Sequence, residues 1–298
     1  MSHIIDAHDI CGETVEAYKQ KILQDGLSSR FIEKLGTIRT VVGHPFNADF
    51  FSEILNEMTV ADRDLSWSEY NRHNASDIIS SFKERVDCWS KGKFGNDEVE
   101  RLRALAICWL LTSPCIDLRN IATEAIFYYG LNRPEKFLEI STRLLKVNDP
   151  YVLERLLAAN YGVISTLLTK GTVLSQISQF VQLLNHSMFS SDADIATTHT
   201  IIRDYASCII RTSNKHIKEL LTDDQLSLSD PPFTRMPRKE WGCADVEGCF
   251  FGAESPFMMD FENYTIGRLV PGRGNYMFDH PEYVQVRNQI LWRVYDLG

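Results

Sequence analysis

The sequence predicts an all-α fold: a HEAT/TPR-like helical-repeat solenoid over residues 1–222, followed by an irregular aromatic- and Gly/Pro-rich segment over 223–298. That segment is expected to pack on the array and to end in a final helix. Three observations lead there. The signature Pro-x4-Arg-x2-Ala occurs twice, as Pro114, Arg119, Ala122 and as Pro150, Arg155, Ala158, with 36 residues between each pair of equivalents. A period of that size belongs to stacked helical pairs, in which each pair needs a neighbour to cover its apolar face. Apolar residues recur at helical spacing through the first two thirds of the chain, and the composition changes after Thr222.

The elements follow in order. Val15, Tyr18, Ile22 and Leu23 mark a helix over Gly12–Asp25, with Gly26 at its C-terminal cap. Ser28 caps a second helix through Phe31, Leu35, Ile38 and Val42, and Asn47 a third carrying Phe50, Phe51, Ile54 and Leu55 inward. Residues Ala61–Tyr70 read as a polar connector, in which Trp67 beside Arg63 is either an exposed binding anchor or a lid on the end of a helix pair. A helix from about Ser76 points Ile79, Phe82, Val86 and Trp89 to one side. Asn96 or Asp97 starts the next, which stops at Thr112-Ser113-Pro114.

A helix through Leu118, Ala122, Ala125 and Tyr129 is expected to end at Gly130, and another begins near Pro134. Asp149 caps its successor, with Pro150 at the first helical position. Ala122, Ala125, Ala158, Ala159 and Gly162 let neighbouring helices approach closely, and Arg119 and Arg155 read as a ladder of buried-stem arginines bonding adjacent turns. Two more helices start near Thr172 and Asp192, the second carrying Arg203-Asp-Tyr-Ala206. Leu226–Phe233 reads as an extended connection, Tyr264–Val270 as a short strand, and Asp279-His-Pro-Glu282 as the capping box of the final helix.

Composition narrows the function classes. A net charge of −9 repels a polyphosphate backbone, so direct nucleic-acid binding is not expected. The longest apolar run, Ala104–Leu111, is far short of a bilayer span, and no export signal is visible, so a soluble cytoplasmic protein is expected. An odd set of seven cysteines fits a reducing compartment. Cys243 and Cys249 lack zinc-clip spacing, no His-x3-His pair occurs, and neither a Walker motif nor a nuclease motif is present. No cofactor, metal or catalytic residue is assigned. Arg63 and Trp67, with Arg268 and Arg273 around the Gly272-Arg-Gly-Asn275 turn, are the candidate partner-binding residues.

Several segments taken together resemble a known family. They are His44–Asp49, Arg63–Ser68, Trp109–Pro114, Leu118-Arg119, Asn148–Arg155, Tyr161-Gly162, Arg203–Ala206, Tyr264–Asn275 and Leu291–Gly298. Their order and spacing over roughly residues 28–298 resemble the C-terminal helical-repeat region of the bacterial antiviral STAND NTPases known as AVAST proteins. The resemblance implies a sensor that captures a conserved phage protein such as a terminase or portal. In that family an effector and a P-loop ATPase precede the array, and oligomerisation belongs to the longer parent chain. A standalone scaffold or adaptor, and an enzyme with its site in residues 241–283, are the alternatives.

Overall fold

The structure is a computed structural model that describes residues 11–195, 197 and 199–230. Helix accounts for 76% of these residues and none is in a strand, so the fold of this part is all-α. The sequence-predicted strand at 264–270, the final helix, Arg268, Arg273, Cys243 and Cys249 lie outside the described residues.

The first helices start where short polar side chains can cap them. Helix α1 spans Gly12–Asp25; α2, Ser29–Ile38, begins with Ser28 accepting from the Phe31 amide, and α3, Ala48–Glu57, with Asn47 accepting from the Asp49 amide. The expected connector is helical instead. Thr59 caps α4, Val60–Arg63, which runs through a π turn at Asp64–Ser68 into α5, Glu69–His73. Few apolar residues mark this stretch, but Arg63 and Trp67, four residues apart and so on one helix face, both reach the interior.

Helix α6, Ala75–Ser90, is followed by α7, Asp97–Cys108, whose cap Asn96 accepts from the Glu98 and Val99 amides. A 3-10 turn at Trp109–Thr112 leads to α8, Ile116–Asn132, then α9, Pro134–Leu144, and α10, Pro150–Thr169. Gly130 does not end α8. It lies inside the helix, where an added Cβ would sit 2.6 Å from Phe137 Cδ1 and 2.7 Å from Val163 Cγ2, so close approach of α9 and α10 explains the glycine. Gly162 plays the predicted role: its Cβ would stand 2.9 Å from Phe127 Cε2 of α8.

Helix α11 is Ser175–Phe189 and α12 is Thr200–His216. The latter starts later than the apolar pattern suggests, because the chain turns at Asp192–Ile195 and the Ile195 amide bonds back to the Ser187 carbonyl. Residues 223–230 are also not extended. Thr222 and Gln225 form a capping box for α13, Asp223–Leu228, and Asn185 and Ser207 bond to the Gln225 and Ser229 carbonyls.

These helices form two rows. In one, α6, α8, α10 and α12 pack in succession; in the other, α3, α7, α9, α11 and α13 follow one another and cover the first. Members of the first row run parallel, as three contacts show. Asn132 Nδ2 donates to the Trp89 carbonyl (3.1 Å) at the C-terminal ends of α8 and α6. Arg155 Nη1 donates to Asn120 Oδ1 (3.0 Å) between the starts of α10 and α8, and His199 Nε2 lies 3.6 Å from Glu154 Oε2 where α12 meets α10. The core between the rows holds fully buried Trp89, Trp109, Tyr129, Phe137 and Phe180.

The 36-residue repeat relates the entries to α8 and α10. Ser113 Oγ accepts from the Cys115 amide (3.2 Å) as Asp149 Oδ1 does from the Tyr151 amide (3.0 Å). The prolines are less alike. Pro150 opens α10, whereas Pro114 stands two residues ahead of α8 because Cys115 is extended. Ala122 is fully buried while Ala158 is half-buried.

Candidate functional site

Arg63 and Trp67 are not on the surface. The Arg63 guanidinium is fully buried, donating from Nη1 to the Leu55 carbonyl (2.8 Å) and Asn148 Oδ1 (2.7 Å) and from Nη2 to Asp149 Oδ2 (3.3 Å). Asn148 in turn donates to the Met58 carbonyl, and the Arg63 guanidinium lies 5.7 Å from the Trp109 ring centroid. Trp67 Nε1 donates to the Trp109 carbonyl (2.8 Å), and Trp109 Nε1 to Ser52 Oγ (2.9 Å). Apart from Arg63 Nε, which has no hydrogen-bond partner, the buried polar groups of this network are matched, as a low-dielectric interior favours. The two residues are therefore corrected from partner contacts to an internal clamp joining α3, α4 and the π turn to the start of α10.

The surface of interest is the edge where α8, α10 and α12 begin. Each exposes one large apolar side chain in its first turn: Ile116 (57% exposed), Tyr151 (46%) and Ile201 (49%). Because the three helices are parallel and adjacent, these residues recur along one side of the row. The repeat arginines lie beneath them, half-buried. Arg119 donates to the Ser113 carbonyl (2.6 Å) and sits 4.3 Å over the Tyr151 ring, so it fixes the ring as well as bridging α8 and α10. Arg203 repeats the backbone contact, donating to the Thr197 carbonyl (3.0 Å), again six residues upstream, with its guanidinium 5.3 Å from the Phe189 ring. Arg155 departs from the pattern: its Nη1 donates to Asn120 Oδ1 (3.0 Å) and to no carbonyl six residues upstream. Helix N-termini give this edge a partial positive character.

Two polar clusters lack a sequence signal; the partners of Asp49 are far along the chain, and those of Glu100 are nearer but lie on two helices. Asp49 accepts from Arg101 of α7 and Arg143 of α9; burial pushes its carboxyl up, but the hydrogen bonds from both arginines outweigh it and hold the pKa below the usual 3.8. Glu100 is buried and accepts from Trp89 Nε1 (3.0 Å), with Arg103 Nη1 2.7 Å away, tying α6 to α7. Both read as inter-helix fastenings. Among the described residues no three His, Cys, Asp or Glu side chains are grouped to hold a metal ion, and no helix is long and apolar enough to cross a membrane.

In comparisons with known proteins the chain matches no family model, no curated protein and no solved structure.

Proposed function

We propose that this chain is a non-catalytic protein-recognition module built as a HEAT/TPR-like solenoid, and that it captures its partner along the edge formed by the starts of α8, α10 and α12. The observation that carries the reading is the recurrence of an exposed apolar side chain, Ile116, Tyr151 and Ile201, on successive parallel helices. Isolated surface apolar residues need no explanation, but a row of them on a rigid scaffold is a ready docking strip. The half-buried Arg119 below supports the strip by fixing Tyr151 before any partner arrives, which lowers the ordering cost of association. The two-row stacking and the 36-residue signature support the solenoid assignment.

The partner class rests on the resemblance to the sensor region of AVAST proteins, and is a phage terminase or portal protein. The test is direct binding of the purified chain to purified large terminases and portal proteins from a panel of phages. One of them is expected to bind, and the Ile116→Asp/Ile201→Asp variant to bind at least about tenfold more weakly with an unchanged melting temperature, since truncating central apolar anchors costs upward of about 1 kcal/mol each. Absence of binding across the panel overturns the partner class, and full binding by the folded double variant overturns the edge.

A further inference from the structure

A second site lies away from that edge, in a cavity of about 250 Å³ enclosed by α2, the π turn, α5, α6 and α7. Its walls are mostly apolar, with Ile32, Leu35, Phe51 and Phe82 among them, and Glu33 and Ser81 also line it. One lining residue is out of place in such surroundings. Asn71 is fully buried, yet neither its side-chain oxygen nor its side-chain nitrogen has a hydrogen-bond partner. An amide buried with both ends unsatisfied is costly, so its retention calls for a ligand that offers one donor and one acceptor side by side. An extended amino-acid residue has that pattern in its own N–H and an oxygen of the carboxyl group that follows, which point the same way, whereas the N–H and C=O of one trans peptide group point apart.

The second polar feature is Arg39, which lines the same cavity from a solvent-exposed position. Its guanidinium makes no side-chain hydrogen bond or ion pair among the described residues. A free guanidinium at the mouth of an apolar cavity is suited to a carboxylate, which it can grip with two parallel bonds. The volume is just below the roughly 300–1,000 Å³ usual for ligand pockets, so the occupant is small. The π turn on the cavity wall is a kind of helical irregularity that is frequent at functional sites.

We infer that this cavity binds an N-acylated apolar α-amino acid with a free carboxylate: Asn71 pairs with its amide N–H and one carboxylate oxygen, Arg39 with the carboxylate, and the apolar walls take its side chain. The same chemistry is presented by a free N-acyl amino acid and by the C-terminal residue of a protein chain. The site is independent of the docking edge and uses none of its residues.

Calorimetric titration of the whole chain with N-acetyl-leucine, N-acetyl-leucinamide and a hexapeptide ending in leucine tests the assignment. For about a dozen non-hydrogen atoms, a Kd of about 0.1–1 mM is expected for N-acetyl-leucine. The uncharged amide should bind at least about tenfold more weakly, and Arg39→Gln, at an exposed position, should abolish that preference. Asn71→Leu should lose all three probes while its melting temperature holds or rises, because the unsatisfied amide is gone. Tighter binding of the hexapeptide than of N-acetyl-leucine identifies a chain terminus as the ligand source; equal binding identifies the free acid. No binding of any probe to the wild-type chain at about 10 mM, far above the range expected for an occupant of this size, or equal affinity for acid and amide, overturns the inference.

Discussion

Replacing Arg63 by alanine probes the clamp that ties the N-terminal helices to the repeat. The substitution removes donors from the Leu55 carbonyl and Asn148 Oδ1 and strips the cation from Asp149, whose side chain is 5% exposed. Removing one member of a buried ion pair costs about 3–5 kcal/mol, because the remaining charge is left in a low-dielectric site. In a domain of this size each kcal/mol lowers Tm by about 2–4 °C, so the expected fall is roughly 6–20 °C. Asp149→Asn keeps an oxygen to cap the Tyr151 amide but removes the charge, and so provides the second arm of a double-mutant cycle. With Arg63→Met as the first arm, the double variant should be less destabilised than the sum of the singles by about 1–3 kcal/mol. Thermal and urea unfolding followed by circular dichroism read both quantities. A fall of under about 2 °C for Arg63→Ala, against the expected several degrees, would refute the clamp, as would strict additivity in the cycle.

Three further outcomes follow from the same geometry. The Asp49 carboxyl has a pKa below its ordinary 3.8, so the stability it contributes is full above about pH 4 and is lost as pH falls through the depressed value; Asp49→Asn should flatten the acid limb of a Tm-against-pH profile below pH 4. Gly130→Ala should destabilise by about 1–2 kcal/mol because its Cβ would overlap Phe137 and Val163, whereas Gly36→Ala, with nothing within 4 Å, should stabilise by about 0.5–1 kcal/mol in urea unfolding. Burial pushes the Cys108 thiol up to about 12, while the exposed Cys11 thiol is lowered by its hydrogen bond to Thr14. Iodoacetamide at pH 8 should therefore label Cys11 and spare Cys108 until the chain is unfolded, as peptide mass spectrometry will show.

Local rules were legible wherever one residue decides the structure. Ser28, Asn47 and Asp149 cap the helices they were expected to cap, and Asn96, one of the two expected starts, caps α7, because a short acceptor next to a free backbone amide needs no tertiary information. Gly130 misled because glycine marks a helix end and a close helix contact equally well, and only the neighbours Phe137 and Val163 distinguish the two. The stretch around Arg63 read as a connector because its inward face carries an arginine, whose partners Asn148 and Asp149 lie more than eighty residues away. The edge proposed for docking was half visible. Arg119 and Arg155 were recognised as structural, but the exposed Ile116, Tyr151 and Ile201 register as core-facing or neutral in a periodicity reading until the parallel row places them together. Asn71 gave no signal at all, since an unsatisfied amide is a property of surroundings rather than of sequence.

Hydroxyl-radical footprinting of the chain with the terminase or portal protein proposed as its partner tests the recognition reading most directly. Ile116, Tyr151 and Ile201 should lose reactivity together on binding, while Val173, 54% exposed in the turn after the C-terminal end of α10, should keep its reactivity as an internal control. Protection at Val173 with Ile116, Tyr151 and Ile201 left fully reactive would contradict it.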